Sequence, residues 1–296
     1  MLRNTLIKMI IRWRRRKIDN NRPIAIRKGT EKLANRYIRV PLKCMGSEVD
    51  AGGVPSEWVT WRGKDSGRVI LYLHGGGYVI CSPRTHRDLL WRLARACSAR
   101  VLAPDYRLAP ENPHPAAVED ALKAYRWLLK SGVKSARIAV MGDSAGGGLA
   151  LVLLQRLRDK KIPLPACAVC LSPWTDLTAS GESMEKNRRK DPLLSPEAIR
   201  IFARHYAPEG DLGQPSISPL FGDFRKLPPL LIQASSSEIL MDDARRAAER
   251  AKAAGVDTEI TLWPGMIHVF QALASYLKDS RRAIREIGKF VEKHIP

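Results

Sequence analysis

The 296-residue sequence predicts an α/β fold, in which helices cover both faces of a mostly parallel sheet. Strand-like apolar runs alternate with helical patterns over roughly 200 residues, which is typical of parallel sheets. Two glycine-rich segments, residues 75–77 and 142–148, directly follow strand-like runs. Residues 172–229 lack a strong strand pattern, and so long an insertion in a compact domain is usually functional. We therefore expect one α/β domain with an insertion.

The N-terminal residues predict helices followed by edge strands. Residues 1 to about 35 have an amphipathic helical pattern, because apolar side chains recur at spacings of three to four. This stripe consists of Leu2, Leu6, Ile10 and Trp13. Residues 36–42 and 57–61 predict strands near an edge of the sheet.

The remaining elements alternate along the chain. The predicted strands are 68–73, 100–104, 137–141, 166–171, 230–234 and 256–263. The predicted helices are 83–97, 115–129, one that ends near 160, 196–206 in the insertion, 242–254 and 279–294. Pro115 suits the first position of its helix, since the N–H that it lacks would have no partner there. Gly255 follows the end of another helix, as glycine often does.

Residues 142–146, Gly-Asp-Ser-Ala-Gly, fit the pattern of a nucleophile turn. The pattern requires a strand before it and a helix after it, and both are predicted here. So sharp a turn strains the central residue and brings neighbouring chain close, so the flanking positions need glycine. An ordinary glycine-rich turn is the alternative. The context favours Ser144 as a nucleophile held clear of the backbone at the carboxyl edge of the sheet.

Three consecutive glycines, residues 75–77, directly follow the strand-like run and His74. Acyl transfer builds negative charge on the substrate oxygen, and backbone N–H groups aimed at that oxygen stabilise it. Side chains would block such a close approach. One donor is expected from Ala145, the residue after the nucleophile, and others from the three glycines. A phosphate-binding glycine loop is the alternative, but neither of its usual patterns occurs.

A serine nucleophile needs a base, and the chain order in this architecture is serine, acid, histidine. Three histidines follow Ser144. His205 lies in the insertion and His294 in the terminal helix. His268 lies in the loop after the strand that ends at residue 263, where a base could reach the serine. We therefore expect His268 to be the base.

Two acids are candidates for the third member. Glu238 lies in the loop after the strand 230–234, and Asp242 opens the next helix, where the dipole favours an acid in any case. The acid holds the tautomer of the imidazole and stabilises its cation. We expect Glu238 to be the acid, with Asp242 as the second choice.

Four motifs together resemble the bacterial hormone-sensitive-lipase-like esterases of the α/β-hydrolase fold. They are Tyr72-Leu-His-Gly-Gly-Gly-Tyr78, Asp105-Tyr-Arg-Leu-Ala-Pro-Glu111, Gly142-Asp-Ser-Ala-Gly-Gly147 and Glu238-Ile-Leu-Met-Asp242, in family order. The resemblance covers most of residues 60–275. It implies an eight-stranded sheet, hydrolysis of short- to medium-chain acyl esters without a cofactor or metal, and a homodimer.

The resemblance also assigns individual residues. It implies that Gly76 and Gly77 are the oxyanion donors, with Gly75 shaping the turn, and that His74 holds the loop and is not the base. The family more often has aspartate at the position of Glu238. A helical cap is implied from residues 1–45 and 176–225, over a catalytic domain of residues 46–175 and 226–296.

The net charge of +20 is concentrated at the N-terminus. Residues 1–43 contain 14 of the 50 Lys and Arg residues and two of the 30 acids, so this segment carries +12. A solvated outer face of the cap is the simplest explanation. An anionic membrane surface ranks second, because the apolar stripe with Trp13 lies opposite the charges. Nonspecific nucleic-acid binding ranks third, and the same stripe could instead close over the acyl pocket as a lid.

The cysteines favour a reducing cytoplasm. There are five, an odd and scattered number that predicts no disulfide framework. Cys167 and Cys170 have redox spacing, but they lie in a strand-like run. Positions three apart in a strand face opposite sides, so we expect a structural role.

The sequence therefore predicts a serine carboxylesterase that works through an acyl-enzyme intermediate on small ester substrates. A lipase-like hydrolase associated with the membrane surface is one alternative. A non-catalytic small-molecule receptor of the same fold is another. Such receptors lose the histidine, whereas His268 is present here.

Overall fold

The computed structural model of the protein describes residues 2–15 and 19–296. Within these ranges, one sheet contains eight strands. They are β1 (Cys44–Asp50), β2 (Pro55–Trp61), β3 (Arg68–Leu73), β4 (Ala99–Pro104), β5 (Ile138–Asp143), β6 (Cys167–Leu171), β7 (Leu230–Ser235) and β8 (Thr258–Trp263). Their order in the sheet is β1-β2-β4-β3-β5-β6-β7-β8. Strand β2 is antiparallel to both of its neighbours, and the other pairs are parallel, which confirms the predicted mostly parallel sheet.

Helices cover both faces of this sheet, as predicted. The helices are α1 (Leu2–Arg15), α2 (Pro23–Tyr37), α3 (Pro83–Cys97), α4 (Ala116–Lys130), α5 (Ala145–Asp159), α6 (Ser183–Lys186), α7 (Pro196–Tyr206), α8 (Met241–Ala253) and α9 (Lys278–His294). Helices α3 and α9 pack on one face, and α4, α5 and α8 on the other. Cys167 and Cys170 are buried in these two different cores, which confirms that they face opposite sides.

The central strands follow directly from their sequences. Every residue of β3, β5, β6 and β7 is buried. Because helices cover both faces, these strands need apolar side chains at consecutive positions. The same continuous runs made them predictable from the sequence.

The predicted strand over residues 36–42 is wrong. Helix α2 continues to Tyr37, and residues 38–41 form no regular structure. The edge strand is instead β1, in which most side chains are exposed. Strand β1 pairs with β2 through its backbone, so its sequence needs no apolar alternation and gave no signal.

The insertion between β6 and β7 contains α6 and α7, and α7 matches the helix predicted at 196–206. Ser195 caps α7 by accepting a hydrogen bond from the N–H of Ala198, and Pro196 opens the helix. This insertion lacks a strand pattern because its apolar side chains lie in loops and in α7 and not in the sheet.

Helix α1 lies against the insertion and against the loop that carries His268. Ile7 and Ile11 pack against an apolar cluster that includes residues 266–267. Arg12 and Arg15 donate hydrogen bonds to backbone carbonyls of residues 189–194. These contacts support the predicted division into a cap and a catalytic domain, which stays a prediction.

The predicted N-terminal stripe is only partly visible. The side chain of Leu2 lies outside the described part of the chain, and so do residues 16–18 of the basic cluster. Leu6, Ile10 and Trp13 are exposed. None of the helices in residues 2–15 and 19–296 is long and apolar enough to cross a bilayer.

Candidate active site

Ser144 lies in the turn between β5 and α5. Its backbone is strained, with φ 52° and ψ −122°, in a region that side-chain-bearing residues rarely adopt. A Cβ atom on Gly142 would lie 2.2 Å from the carbonyl oxygen of Gly146, and one on Gly146 would lie 2.0 Å from that of Leu73. Both flanking positions therefore require glycine. The steric reason predicted for this motif is confirmed.

His268 lies in the loop after β8 and contacts Glu238. Its Nδ1 atom is 2.9 Å from Oε2 of Glu238, and both side chains are buried. The second oxygen of Glu238 accepts a hydrogen bond from the N–H of Ser235 at 3.1 Å. Burial disfavours the imidazolium, but the hydrogen bond and charge of Glu238 outweigh this and raise the pKa of His268. With Nδ1 committed to the acid, Nε2 is the nitrogen left for a proton from serine.

Asp242, the second choice for the acid, faces elsewhere. Its carboxylate accepts hydrogen bonds from the N–H of Ser183 at 2.7 Å and from Arg245 at 3.1 Å. Burial alone would raise its pKa, but these hydrogen bonds lower it. Asp242 therefore ties α8 to the insertion, and the structure places Glu238 at the histidine.

The register of the sheet brings the three predicted residues to one edge. Asp143 pairs with Leu171, Leu171 pairs with Gln233, and Ser235 pairs with Trp263. The carboxyl ends of β5, β6, β7 and β8 are thus level with one another. The nucleophile, the acid and the base each follow one of these ends, where parallel sheets place their functional loops.

Ser172 connects these loops and was missed in the sequence. Its hydroxyl oxygen accepts a hydrogen bond from the N–H of Val269 at 3.1 Å. Burial raises the pKa of Glu238, and the side chain of Ser172 is one of the groups that counteract this rise. Ser172 therefore fixes the loop of His268 relative to the acid. Its only sequence signal is a polar residue directly after a buried strand.

The backbone N–H groups of the glycine loop, residues 75–77, differ in whether they are hydrogen-bonded within the described part of the protein. The N–H of Gly75 donates to Oδ1 of Asp143 at 3.0 Å, and a Cβ atom on Gly75 would lie 2.2 Å from the other oxygen of that carboxylate. Gly76 and Gly77 have φ angles of 113° and 64°. Among the described residues, no acceptor is hydrogen-bonded to the N–H of Gly76, Gly77 or Ala145. These three N–H groups are thus available for a substrate oxygen.

Asp143, the residue before the nucleophile, holds the glycine loop in place. Besides Gly75, its carboxylate accepts a hydrogen bond from the hydroxyl of Tyr72 at 2.6 Å and lies 3.3 Å from Nε2 of His86. Burial favours the neutral acid, but His86 and Tyr72 outweigh it and lower the pKa of Asp143. This network was missed in the sequence, although Asp143 lies inside the motif itself.

His74 is part of the loop and not a base. Its Nδ1 atom donates to the carbonyl oxygen of Gly75 at 2.7 Å, and its ring stacks on Tyr106 with centroids 4.2 Å apart. Burial lowers the pKa of His74 to about 3, so the ring is neutral at any ordinary pH. These contacts agree with the loop-holding role that the resemblance implies.

Asp191 in the insertion is a further residue that the sequence analysis missed. Its carboxylate accepts hydrogen bonds from the N–H groups of Leu193, Leu194 and Ile239 at 2.8–3.0 Å. Ile239 is adjacent to Glu238, so Asp191 ties the insertion to the segment of the acid. In the described part of the chain, no cluster of His, Cys, Asp or Glu side chains is arranged to hold a metal ion.

Comparisons with known proteins find relatives of the whole fold. Residues 70–272 match a family described as having the alpha/beta hydrolase fold. The chain is 46% identical to an acetyl-hydrolase from Streptomyces hygroscopicus over 246 residues, which are 83% of this chain and 82% of that protein.

Two solved structures cover nearly the whole chain. An esterase of the bacterial hormone-sensitive lipase family is 43% identical, with a TM-score of 0.96 over 100% of this chain and 99% of that one. The second is the structure of EstE5 from a crystal soaked with p-nitrophenyl butyrate. Its sequence is 39% identical to this chain, and its TM-score is 0.92 over 99% of this chain and 98% of that one. The chain therefore belongs to the bacterial hormone-sensitive-lipase-like esterases of the α/β-hydrolase fold.

Proposed function

We propose that Ser144 is the nucleophile of this carboxylic ester hydrolase, with His268 as its base and Glu238 as its acid. The observation that carries the proposal is the buried contact of 2.9 Å between His268 Nδ1 and Glu238 Oε2, at the sheet edge that carries the strained serine. A buried imidazole oriented by a carboxylate beside a strained serine is the arrangement that serine hydrolysis needs.

The first half of the reaction forms an acyl-enzyme. Oγ of Ser144 attacks the ester carbonyl while its proton passes to Nε2 of His268. The negative oxygen of the tetrahedral intermediate accepts hydrogen bonds from the N–H groups of Gly76, Gly77 and Ala145, and losing one such donor costs about 3–4 kcal/mol. Glu238 stabilises the imidazolium. The imidazolium then protonates the leaving alkoxide, and the alcohol departs.

The second half releases the acid. A water molecule takes the place of the alcohol, and Nε2 of His268 removes a proton from it as it attacks the acyl carbon. The same three N–H groups stabilise the second tetrahedral intermediate. The bond from the acyl carbon to Oγ of Ser144 then breaks, and the serine recovers its proton from His268.

We propose short- to medium-chain acyl esters as substrates. Aromatic side chains crowd the glycine loop, since a Cβ atom on Gly77 would lie 2.2 Å from Phe202 of α7, and Tyr78 stacks on Tyr206 at 3.8 Å. The relative from Streptomyces is named an acetyl-hydrolase, and p-nitrophenyl butyrate was soaked into EstE5 crystals. Across p-nitrophenyl esters of rising length, kcat/KM should be highest for acetate to hexanoate and fall for laurate and palmitate.

The nucleophile is tested by Ser144→Ala. Turnover of p-nitrophenyl butyrate should fall to the background rate, because the acyl-enzyme can no longer form. Ser131→Ala, on an exposed serine after α4, is the matched control and should retain full activity. Turnover by Ser144→Ala at the rate of the parent would overturn the assignment.

We also propose a cytoplasmic location and a homodimer. All five cysteines are free, and three of them are buried in the two cores, which suits a reducing compartment. The dimer rests on family resemblance, and light scattering on the purified protein measures it directly. Residues 1–45 and 176–225 remain our proposed cap.

A further inference from the structure

Exposed large apolar side chains concentrate in the N-terminal segment. Among the described residues, twelve such side chains are exposed, and ten of them lie between residues 6 and 45. The ten are Leu6, Met9, Ile10, Trp13, Ile24, Leu33, Tyr37, Val40, Leu42 and Met45. Single exposed apolar residues are ordinary, but a concentration in one segment marks an interaction surface.

Helix α1 has two apolar faces. Ile7 and Ile11 face the protein and pack against the cluster beside His268. The exposed residues of α1 recur at the spacing of a single outer stripe, one or two helical turns apart. They are Leu6, Met9, Ile10 and Trp13. Helix α1 therefore packs on the protein through one apolar face, and its other apolar stripe is exposed.

Helix α2 places cations next to its exposed apolar residues. Its inner face is anchored by Arg27, which donates to the carbonyls of Val79 and Ala109 and pairs with Glu111, and by Glu31. The outer face carries three exposed cations four residues apart, which are Lys28, Lys32 and Arg36. In the described part of the chain, no carboxylate lies within salt-bridge distance of these three, whereas Arg22 and Arg27 have such partners.

We propose that the outer faces of α1 and α2, the N-terminal surface, dock on an anionic lipid surface. Apolar side chains beside cations match such a surface, because the former enter the boundary of the acyl chains while the latter meet lipid phosphates. A second copy of this chain is disfavoured, because each copy brings +12 in residues 1–43. Nucleic acid would pair with the cations but leaves the apolar stripe in water.

This inference goes beyond ester hydrolysis and does not depend on the catalytic assignment. Ile7 and Ile11 of α1 contact the cluster beside His268, whereas the stripe of the same helix is exposed. A protein docked through this surface therefore has α1 in contact with both the lipid and the cluster beside His268. Esters dissolved in the membrane would be the nearest substrates.

Vesicle sedimentation tests the proposal. The Ser144→Ala protein is used in every arm, so that lipid hydrolysis cannot interfere and a failure of the catalytic assignment leaves the result intact. Vesicles of phosphatidylcholine with an equal part of phosphatidylglycerol are compared with vesicles of phosphatidylcholine alone. We expect the protein to sediment with the anionic vesicles at least about tenfold more strongly, and high salt should weaken this binding.

Three variants locate the binding. The apolar variant is Leu6→Ser with Ile10→Ser, the cation variant is Lys28→Gln with Lys32→Gln and Arg36→Gln, and the control is Lys130→Gln with Lys134→Gln and Lys160→Gln. The control removes the same charge from the amino edge of the sheet, away from α1 and α2. Thermal unfolding followed by circular dichroism checks that each variant folds.

The first two variants should each lose at least about tenfold in binding, while the control should bind like the parent. Equal losses in the control would overturn the proposal, because general charge would then explain binding. An apolar variant that binds like the parent would also overturn it, since attraction to any polyanion would suffice. Absence of binding by the parent would do the same.

Discussion

The carboxyl edge of the sheet holds two carboxylate–histidine pairs, and they differ in the number of partners that the histidine has. His86 has partners at both nitrogens, which are the carboxylate of Asp143 at Nε2 and, at Nδ1, the carbonyl oxygen of Ser82 and the hydroxyl of Thr85. Both nitrogens of this ring are therefore occupied by neighbouring groups of the protein. His268 has one acceptor, Glu238 at Nδ1, and its Nε2 makes no hydrogen bond to the described residues.

The difference shows what makes a histidine a base. Burial works against the cation in both rings, and a nearby carboxylate raises both pKa values above the ordinary 6.5. Because both nitrogens of His86 have partners, its ring is held in place and anchors Asp143, which in turn holds Gly75. His268 keeps one nitrogen for a proton. In our proposal the first pair positions the glycine loop, and the second serves proton transfer.

Glu238→Gln disrupts the pair of His268 and Glu238, and we expect it to cause the largest loss of activity. The glutamine keeps the volume but loses the charge that stabilises the imidazolium and fixes the tautomer. We expect kcat/KM for p-nitrophenyl butyrate to fall about a thousandfold to ten-thousandfold, mostly in kcat, as for other triad acids.

Asp242→Asn is the matched control, since it changes an acid four residues away that faces Ser183. Its kcat/KM should stay within about threefold of the parent. The reverse pattern, with activity lost in Asp242→Asn and kept in Glu238→Gln, would move the acid to Asp242.

Gly77→Ala should impair stabilisation of the oxyanion, and we expect a loss of activity nearly as large. Its φ angle of 64° disfavours alanine, and the new Cβ atom would lie 2.2 Å from the ring of Phe202. We expect a loss of about a hundredfold in kcat, the cost of misplacing one donor. Phe202→Ala in the same chain removes the clash and should restore part of the activity; unchanged activity in Gly77→Ala would contradict the donor role.

Asp143→Asn should have a smaller effect. The asparagine can still accept from Tyr72 or Gly75, but it loses the negative charge that attracts His86. Since the loop is loosened and no donor is removed, we expect a loss of about tenfold in kcat. The measurement is steady-state kinetics on p-nitrophenyl butyrate. A loss of kcat as large as that of Glu238→Gln would contradict the assignment of loop positioning to one pair and proton transfer to the other.

The pH dependence of kcat/KM also distinguishes the two pairs, and the shift that we expect in it is the smallest of these effects. His268 works as a base only when neutral, and its pKa is raised, so activity should fall as the pH drops through a value above 6.5. Glu238→Gln removes the charge that raises this pKa, so the acidic limb should move to lower pH in the residual activity. Asp143→Asn should move the limb in the same direction but much less, because the charge of Asp143 contributes least of the groups that raise the pKa of His268.

Much of this site could be predicted because its residues follow strong local signals. Ser144 lies between a buried strand and a helix, and the glycines beside it are required because a Cβ atom there would lie 2.0–2.2 Å from a carbonyl oxygen. The position of His268 follows from chain order. The central strands were predictable because burial on both faces requires continuous apolar runs.

The missed parts depend on contacts between segments distant in the chain. Tyr72, His86 and Asp143 meet only in the folded protein, and no periodicity relates them. Ser172 and Asp191 act through backbone N–H groups, which any sequence offers. Strand β1 lies at an exposed edge, where pairing through the backbone leaves the side chains unconstrained.

The central claim is that Ser144 is activated by the pair of His268 and Glu238. Labelling with a fluorophosphonate tests it most directly, because only an activated serine reacts and mass spectrometry identifies the modified residue. We predict that the label appears on Ser144 in the parent, slows strongly in Glu238→Gln and keeps its rate in Asp242→Asn. A label on another serine, or equal labelling of Ser144 in the parent and Glu238→Gln, would contradict the claim.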